Sequence, residues 1–217
     1  MAVKPTTPAS STWMAKPVDA IPNGALSRLR AEAAQCRACP LWRPATQTVF
    51  GRGPASARLV LVGEQPGDRE DLAGQPFVGP AGQLLRETLA QVGIDTASVY
   101  LTNAVKHFKF VPRGKRRLHQ RANASEQAAC RPWLAGELER IAPAVVVALG
   151  AMAAQTLFGN AFRVSTQRGA WQTLPNGRRA LATWHPSALL RMRAPDRAQA
   201  EHQFAQDLAR VADHLMR

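Results

Sequence analysis

Glu64, Gln65 and Asp68 come directly after an apolar run at residues 59–63, where the chain breaks into Gly, Glu, Gln, Pro, Gly and Asp. Asn103 closes a second run, and His185, with Pro186 and Ser187, closes another. His119 sits in a segment that also holds Lys115, Arg116 and Arg117. Each residue type has its own chemistry. A carboxylate accepts protons or faces positive charge. One carboxamide both gives and takes hydrogen bonds, which suits a ligand edge mixing donors and acceptors. A neutral imidazole is a nucleophile, and a covalent intermediate divides one hard step into two easier ones. Three cysteines form a second group. Cys36 and Cys39 are spaced C-x-x-C, Cys130 lies far along the chain, and thiolates in that number suit a metal centre one ligand short of four.

Loops can bring these side chains together only if the intervening segments form a sheet. Runs at 58–63, 99–105, 144–150 and 180–184 are rich in Val, Leu and Ala, and read as buried strands. Helical spacing marks 25–34, 83–92, 151–158 and 196–216, the last with a stripe of Phe204, Leu208, Val211, Ala212 and Leu215. Asn123, with Glu126 three residues on, signals a capped helix start leading to about Ile141. Alternating strands and helices imply an α/β fold, a three-layer α/β/α sandwich around a four-stranded parallel sheet. The loops at 64–76, 103–120 and 185–193 then converge on the carboxyl edge, where open α/β sheets bind ligands. The basic stretch 112–121 reads as a loop. Residues 1–24, rich in Pro, Ser, Thr and Ala, read as a flexible tail in which Trp13 and Met14 have no evident partner. Residues 25–217 form the domain.

The chain has 217 residues, 46% of them hydrophobic, enough for one domain with a real core. Its 28 Lys and Arg against 15 Asp and Glu give a formal charge of +13, and the pI is near 11.2. That balance points to a polyanion, most often nucleic acid. No apolar run reaches the roughly 20 residues of a membrane span, and the N-terminus lacks a secretory h-region. An odd number of cysteines without an export signal argues against a disulfide framework and for a cytoplasmic chain.

Taken together, Gly63-Glu64-Gln65-Pro66-Gly67, Pro76-Phe77-Val78-Gly79, Thr102-Asn103 and His185-Pro186-Ser187 resemble the uracil-DNA glycosylase superfamily, most closely its iron–sulfur members, called family 4. Gly114-Lys115-Arg116-Arg117-Leu118-His119 is similar to the basic loop of the UdgX branch, with Leu118 where that branch usually has Ile. The match runs over about residues 36–192. It implies a substrate, 2′-deoxyuridine in DNA, that must be flipped out or already single-stranded; single-stranded DNA is the expected preference, and the protein is expected to be a monomer that joins the nucleoid when bound to DNA. By resemblance, Phe77 stacks on uracil while Gln65, Asp68 and Asn103 contact it, and His185 stabilises the leaving base. Glu64 lies beside the reacting carbon. His119 captures the sugar, leaving a covalent protein–DNA bond, and its basic neighbours should keep it neutral. Lys115, Arg116, Arg117, Ser187 and Arg191 are expected on DNA, with Leu189 or Leu190 filling the space left by the base.

Family 4 proteins carry a cysteine after the lysine that follows the Asn-bearing strand; here Lys106 is followed by His107. The resemblance therefore implies a 4Fe–4S cluster on Cys36, Cys39, His107 and Cys130, with structural zinc as the alternative, since it also accepts three Cys and one His. Two other functions remain open to the residues: a turnover glycosylase that leaves an abasic site, and a non-catalytic DNA-binding module with a metal staple.

Overall fold

The computed structural model describes residues 24–216, so Trp13, Met14 and nearly all of the expected tail lie outside the described residues. The elements run α1 (Leu26–Ala34), β1 (Leu59–Gly63), α2 (Asp68–Ala73), α3 (Pro80–Gln91), β2 (Val99–Asn103), β3 (Phe110–Arg113), β4 (Arg116–His119), α4 (Ala124–Ile141), β5 (Val145–Leu149), α5 (Gly150–Phe158), α6 (Val164–Gln167), β6 (Gln172–Thr173), β7 (Arg179–Thr183), α7 (Pro186–Leu189) and α8 (Asp196–Met216). The main sheet has the order β2-β1-β5-β7-β6. Its first four strands are parallel, as expected. β6 pairs antiparallel with β7, so the sheet has five strands and not four.

Side chains alternate across a strand, so each apolar run feeds two cores. Val60, Val62, Tyr100, Val146, Ala148, Ala180 and Ala182 face one core, which includes Ala129, Leu134 and Leu138 of α4 and Met152 of α5. Leu59, Leu61, Val99, Val145, Val147, Leu149 and Leu181 face the other, with Leu85 and Leu89 of α3 and Phe204, Leu208 and Val211 of α8. The predicted stripe of α8 is thus core, Leu215 being only partly buried. Burial on both faces explains why these strands read as continuous apolar runs.

From β1 the chain moves outward to β2 on one side, while β5 and β7 continue on the other. The reversal between β1 and β5 leaves a crevice at the carboxyl ends. The expected basic loop is a hairpin: β3 and β4 pair antiparallel, Phe110 opposite His119 and Arg113 opposite Arg116. Its turn passes through Gly114 at φ 58, which glycine adopts without strain. The loop expected at 64–76 contains the helix α2. The Asn123–Glu126 capping box at the start of α4 is present, with Asn123 Oδ1 accepting from Glu126 N at 2.9 Å and Glu126 Oε2 from Asn123 N at 2.7 Å. Among the described residues no helix is long and apolar enough to cross a membrane.

Candidate active site and thiol cluster

A cavity of about 440 Å³ opens at the carboxyl ends of β1, β2 and β7. Glu64, Gln65, Phe77, Asn103, His119, His185, Ser187 and Arg191 line it. Eight of the expected site residues, drawn from five separate stretches of sequence, therefore share one pocket.

The floor is fixed by close approach. Gly63 pairs with Asn103 across β1 and β2. A Cβ on Gly63 would lie 2.3 Å from Asn103 Oδ1 and 2.7 Å from Phe77 Cζ, so only glycine lets both side chains lean over the strand end. Among the described residues nothing hydrogen-bonds the Asn103 carboxamide, which leaves its mixed edge for a ligand. Phe77 is buried and takes φ 58, an uncommon conformation for a bulky residue and one that clusters at functional sites. Its carbonyl accepts from Arg86 Nη1 at 2.8 Å. The Phe77 and His185 rings are near parallel, 24° apart with centroids 6.2 Å apart. Gly150, at φ 85, makes room for His185, since a Cβ there would meet the His185 Cβ at 2.8 Å.

His185 has a determined tautomer. Its Nδ1 accepts from Ser187 N at 3.1 Å and lies 2.8 Å from Ser187 Oγ. A main-chain N–H can only donate, so the neutral ring carries its proton on Nε2. Burial, then the positive charge of Arg191 and that of His119 when protonated, push the His185 pKa down to about 4, so the ring is a neutral donor at pH 7.

His119, exposed at the pocket rim, also titrates below the ordinary histidine range. The protein packed around it lowers its pKa most, Glu64 pulls it upward, and Arg191 lowers it again. The cation beside His119 is thus Arg191, and not the Lys115–Arg117 run expected to keep it neutral. Arg117 turns away from the pocket. Its Nε meets Asp68 Oδ1 at 2.5 Å and its Nη1 meets Asp71 Oδ2 at 2.6 Å. Its guanidinium also lies over Phe108 and Phe110. This clamp takes Asp68 out of the pocket lining and puts Asp68 and Arg117, expected on base and DNA, in an ion pair. Lys115 and Arg116 line a separate groove between the hairpin and α2, together with Asp68 and Leu72. Leu189 is buried in the core, so of the two leucines only Leu190 is partly exposed.

Gln65 fastens the base of the hairpin. Its Nε2 donates to Lys109 O at 3.2 Å and Gln120 O at 3.0 Å, while its Oε1 is buried with no hydrogen-bond partner among the described residues. The sequence reading missed Glu70. It lines the pocket and accepts from Gly67 N at 3.1 Å and Gly79 N at 2.8 Å, tying the two loops together. Its position three residues after Gly67, at the start of α2, was the available signal.

Below β2, Cys36, Cys39 and Cys130 are free and buried. A hydrogen bond with the Cys130 thiol, outweighing burial, lowers the Cys39 pKa to about 7. Cys130 Sγ accepts from Lys106 N at 3.5 Å, and Cys36 Sγ from Trp133 Nε1 at 3.2 Å. His107 is buried nearby, with Nε2 2.8 Å from the Thr48 hydroxyl, which also reaches Ala33 O at 3.2 Å. With the hydroxyl proton on Ala33 O, His107 Nδ1 is a bare lone pair, buried with no hydrogen-bond partner among the described residues. Burial, then Arg37, lowers the His107 pKa to about 4. A metal-binding histidine has this arrangement, one nitrogen donating to the protein and the other free. Among the described residues, no three His, Cys, Asp or Glu side chains form a group able to hold a metal ion.

Residues 50–209 match the family model of the uracil DNA glycosylase superfamily. The chain is 41% identical over 161 residues to the type-4 uracil-DNA glycosylase of Thermotoga maritima, covering 74% of this chain and 80% of that protein. It is 35% identical over 191 residues to the type-4 enzyme of Archaeoglobus fulgidus, covering 84% and 89%. The type-5 uracil-DNA glycosylase of Thermus thermophilus is 32% identical over 167 residues, covering 68% and 71%.

Proposed function

The chain belongs to the uracil DNA glycosylase superfamily, alongside its type-4 members, and we propose that it excises uracil from DNA and then holds the sugar covalently on His119. The observation that carries this reading is the single pocket that joins Glu64, Asn103 and His185 to an imidazole held neutral beside a carboxylate. A flipped uracil stacks on Phe77 and pairs with the Asn103 carboxamide. As the base–sugar bond breaks, its electron pair leaves with uracil, and the Nε2–H of His185 donates to the developing anion. Glu64 faces the positive charge that grows on the sugar. The lone pair of His119 forms the new bond to C1′, and the proton on its other nitrogen passes to Glu64.

A second reading, a turnover glycosylase, is favoured by the names of the type-4 relatives. It uses the same floor but gives His119 no bond to make. Uracil-containing single-stranded oligonucleotide followed by a denaturing gel separates the readings. One equivalent of released uracil with a retarded band supports capture, and many equivalents without the band support turnover. Equal affinity for thymine DNA with no released base rejects both.

Cys36, Cys39, Cys130 and His107 are the residues that would hold the iron–sulfur cluster. The bare His107 Nδ1 and three free buried thiols support the fit. Structural zinc, which also accepts three Cys and one His, is the competing occupant of the same residues. Held by these residues, the cluster would tie the segment after α1 to the end of β2 and to α4. Iron and acid-labile sulfide in brown protein are the expected result; stoichiometric zinc in colourless protein prepared without air rejects it.

A further inference from the structure

Lys106 is one of the largest fully buried side chains, with 1% of its surface exposed, and its ammonium reaches Thr102, on the face of β2 opposite the Asn103 side chain. Its Nζ donates to Thr102 Oγ1 at 2.7 Å, to Asn103 O at 2.7 Å and to Glu137 Oε2 at 2.5 Å. Glu137, on α4 and fully buried, also accepts from Tyr100 OH at 2.9 Å and Gly51 N at 3.0 Å. Taking two charges out of water is costly, and well-packed apolar residues in the same space are often at least as stabilising. Stability alone is therefore a weak reason for the pair. Its placement gives a stronger one: the ammonium binds the carbonyl of Asn103, whose carboxamide crosses Gly63 into the pocket. Fixing that carbonyl fixes the peptide plane after Asn103 and the direction of its side chain.

We propose that Lys106, anchored by Glu137, is a positioning residue for base recognition that acts through Asn103. The inference rests on the uracil-excising reading above. Because Glu137 shares α4 with Cys130, the pair also couples the thiol cluster to the pocket floor.

The test is single-turnover uracil release from a single-stranded oligonucleotide. It gives a maximal rate and the DNA concentration at half that rate. Lys106→Met with Glu137→Gln removes both charges but keeps an acceptor for Tyr100 and Gly51, so folding, checked by Tm, is retained. Its maximal rate is expected to fall about a hundredfold, the cost of misplacing a positioned group, with the half-saturating concentration unchanged. Asn103→Ala in this background is expected to add little, because both changes act through one carboxamide. A maximal rate within about twofold of wild type, or a full further loss on adding Asn103→Ala, overturns the proposal. Wild-type protein that releases no uracil overturns the underlying reading as well, and is told apart because the unaltered chain itself fails.

Discussion

The floor of the pocket stands on strand ends where Asn103, Gln65 and Phe77 are almost fully buried, whereas the hairpin that carries His119 is exposed along most of its length. The floor is held by the sheet, by glycines that permit close approach, and by two apolar cores. The hairpin is held by polar fastenings: the Gln65 carboxamide, the Arg117 clamp on Asp68 and Asp71, and the Lys109–Glu126 ion pair at 2.8 Å. On the proposed reading, base recognition falls to the buried part of the molecule, and the proposed nucleophile, His119, sits on a part whose position depends on a few replaceable bonds.

The comparison predicts that the two regions fail separately. His119→Ala should abolish the denaturant-resistant adduct on a gel while uracil is still released; a persisting adduct would place the nucleophile elsewhere. Replacing His185 with Ala should slow uracil release itself by about 10²–10³, the cost of one donor to a developing anion, with adduct formation slowed in step. Arg117→Ala should loosen only the hairpin. We expect a loss of about 1–3 kcal/mol in denaturant unfolding and slower capture with nearly normal release. If binding instead loses about 0.7 of its salt slope, Arg117 contacts a phosphate as the sequence first suggested.

The smallest expected effect is on pH dependence. His185 has its pKa lowered to about 4 in the fold, against about 6.5 in the unfolded chain. Its neutral form is present above both values. As pH falls from about 6.5 towards 4, the unfolded chain takes up a proton that the native ring refuses, and the stability contribution is lost. Uracil release should therefore hold down to about pH 5 while the melting temperature already falls. An activity limb centred at 6.5 would mean His185 is not the donor.

The sequence carries the floor clearly because its residues close long apolar runs, and the parallel order of those runs brings their ends together. Asn123 and Glu126 marked the start of α4 for a similar local reason. The hairpin was unreadable as a sheet because Pro112, Gly114 and the Lys115–Arg117 run have low strand preference. Only the pairing of Val111 with Leu118 hints at it. β6 is two residues long, too short for a period to show. The roles of Arg117, Arg191 and Glu70 depend on partners far away in sequence, which spacing does not reveal.

The hydrogen bond from Gln120 N to Lys109 O, at 2.9 Å, closes the hairpin at its neck, and Gln65 seals the same neck from the side. Everything from 110 to 119 lies beyond that closure, outside the strand order of the main sheet. A segment closed in this way can be exchanged at a loop without disturbing the scaffold. On the proposed reading, exchanging this one short surface segment would switch the protein between releasing its product and keeping hold of it.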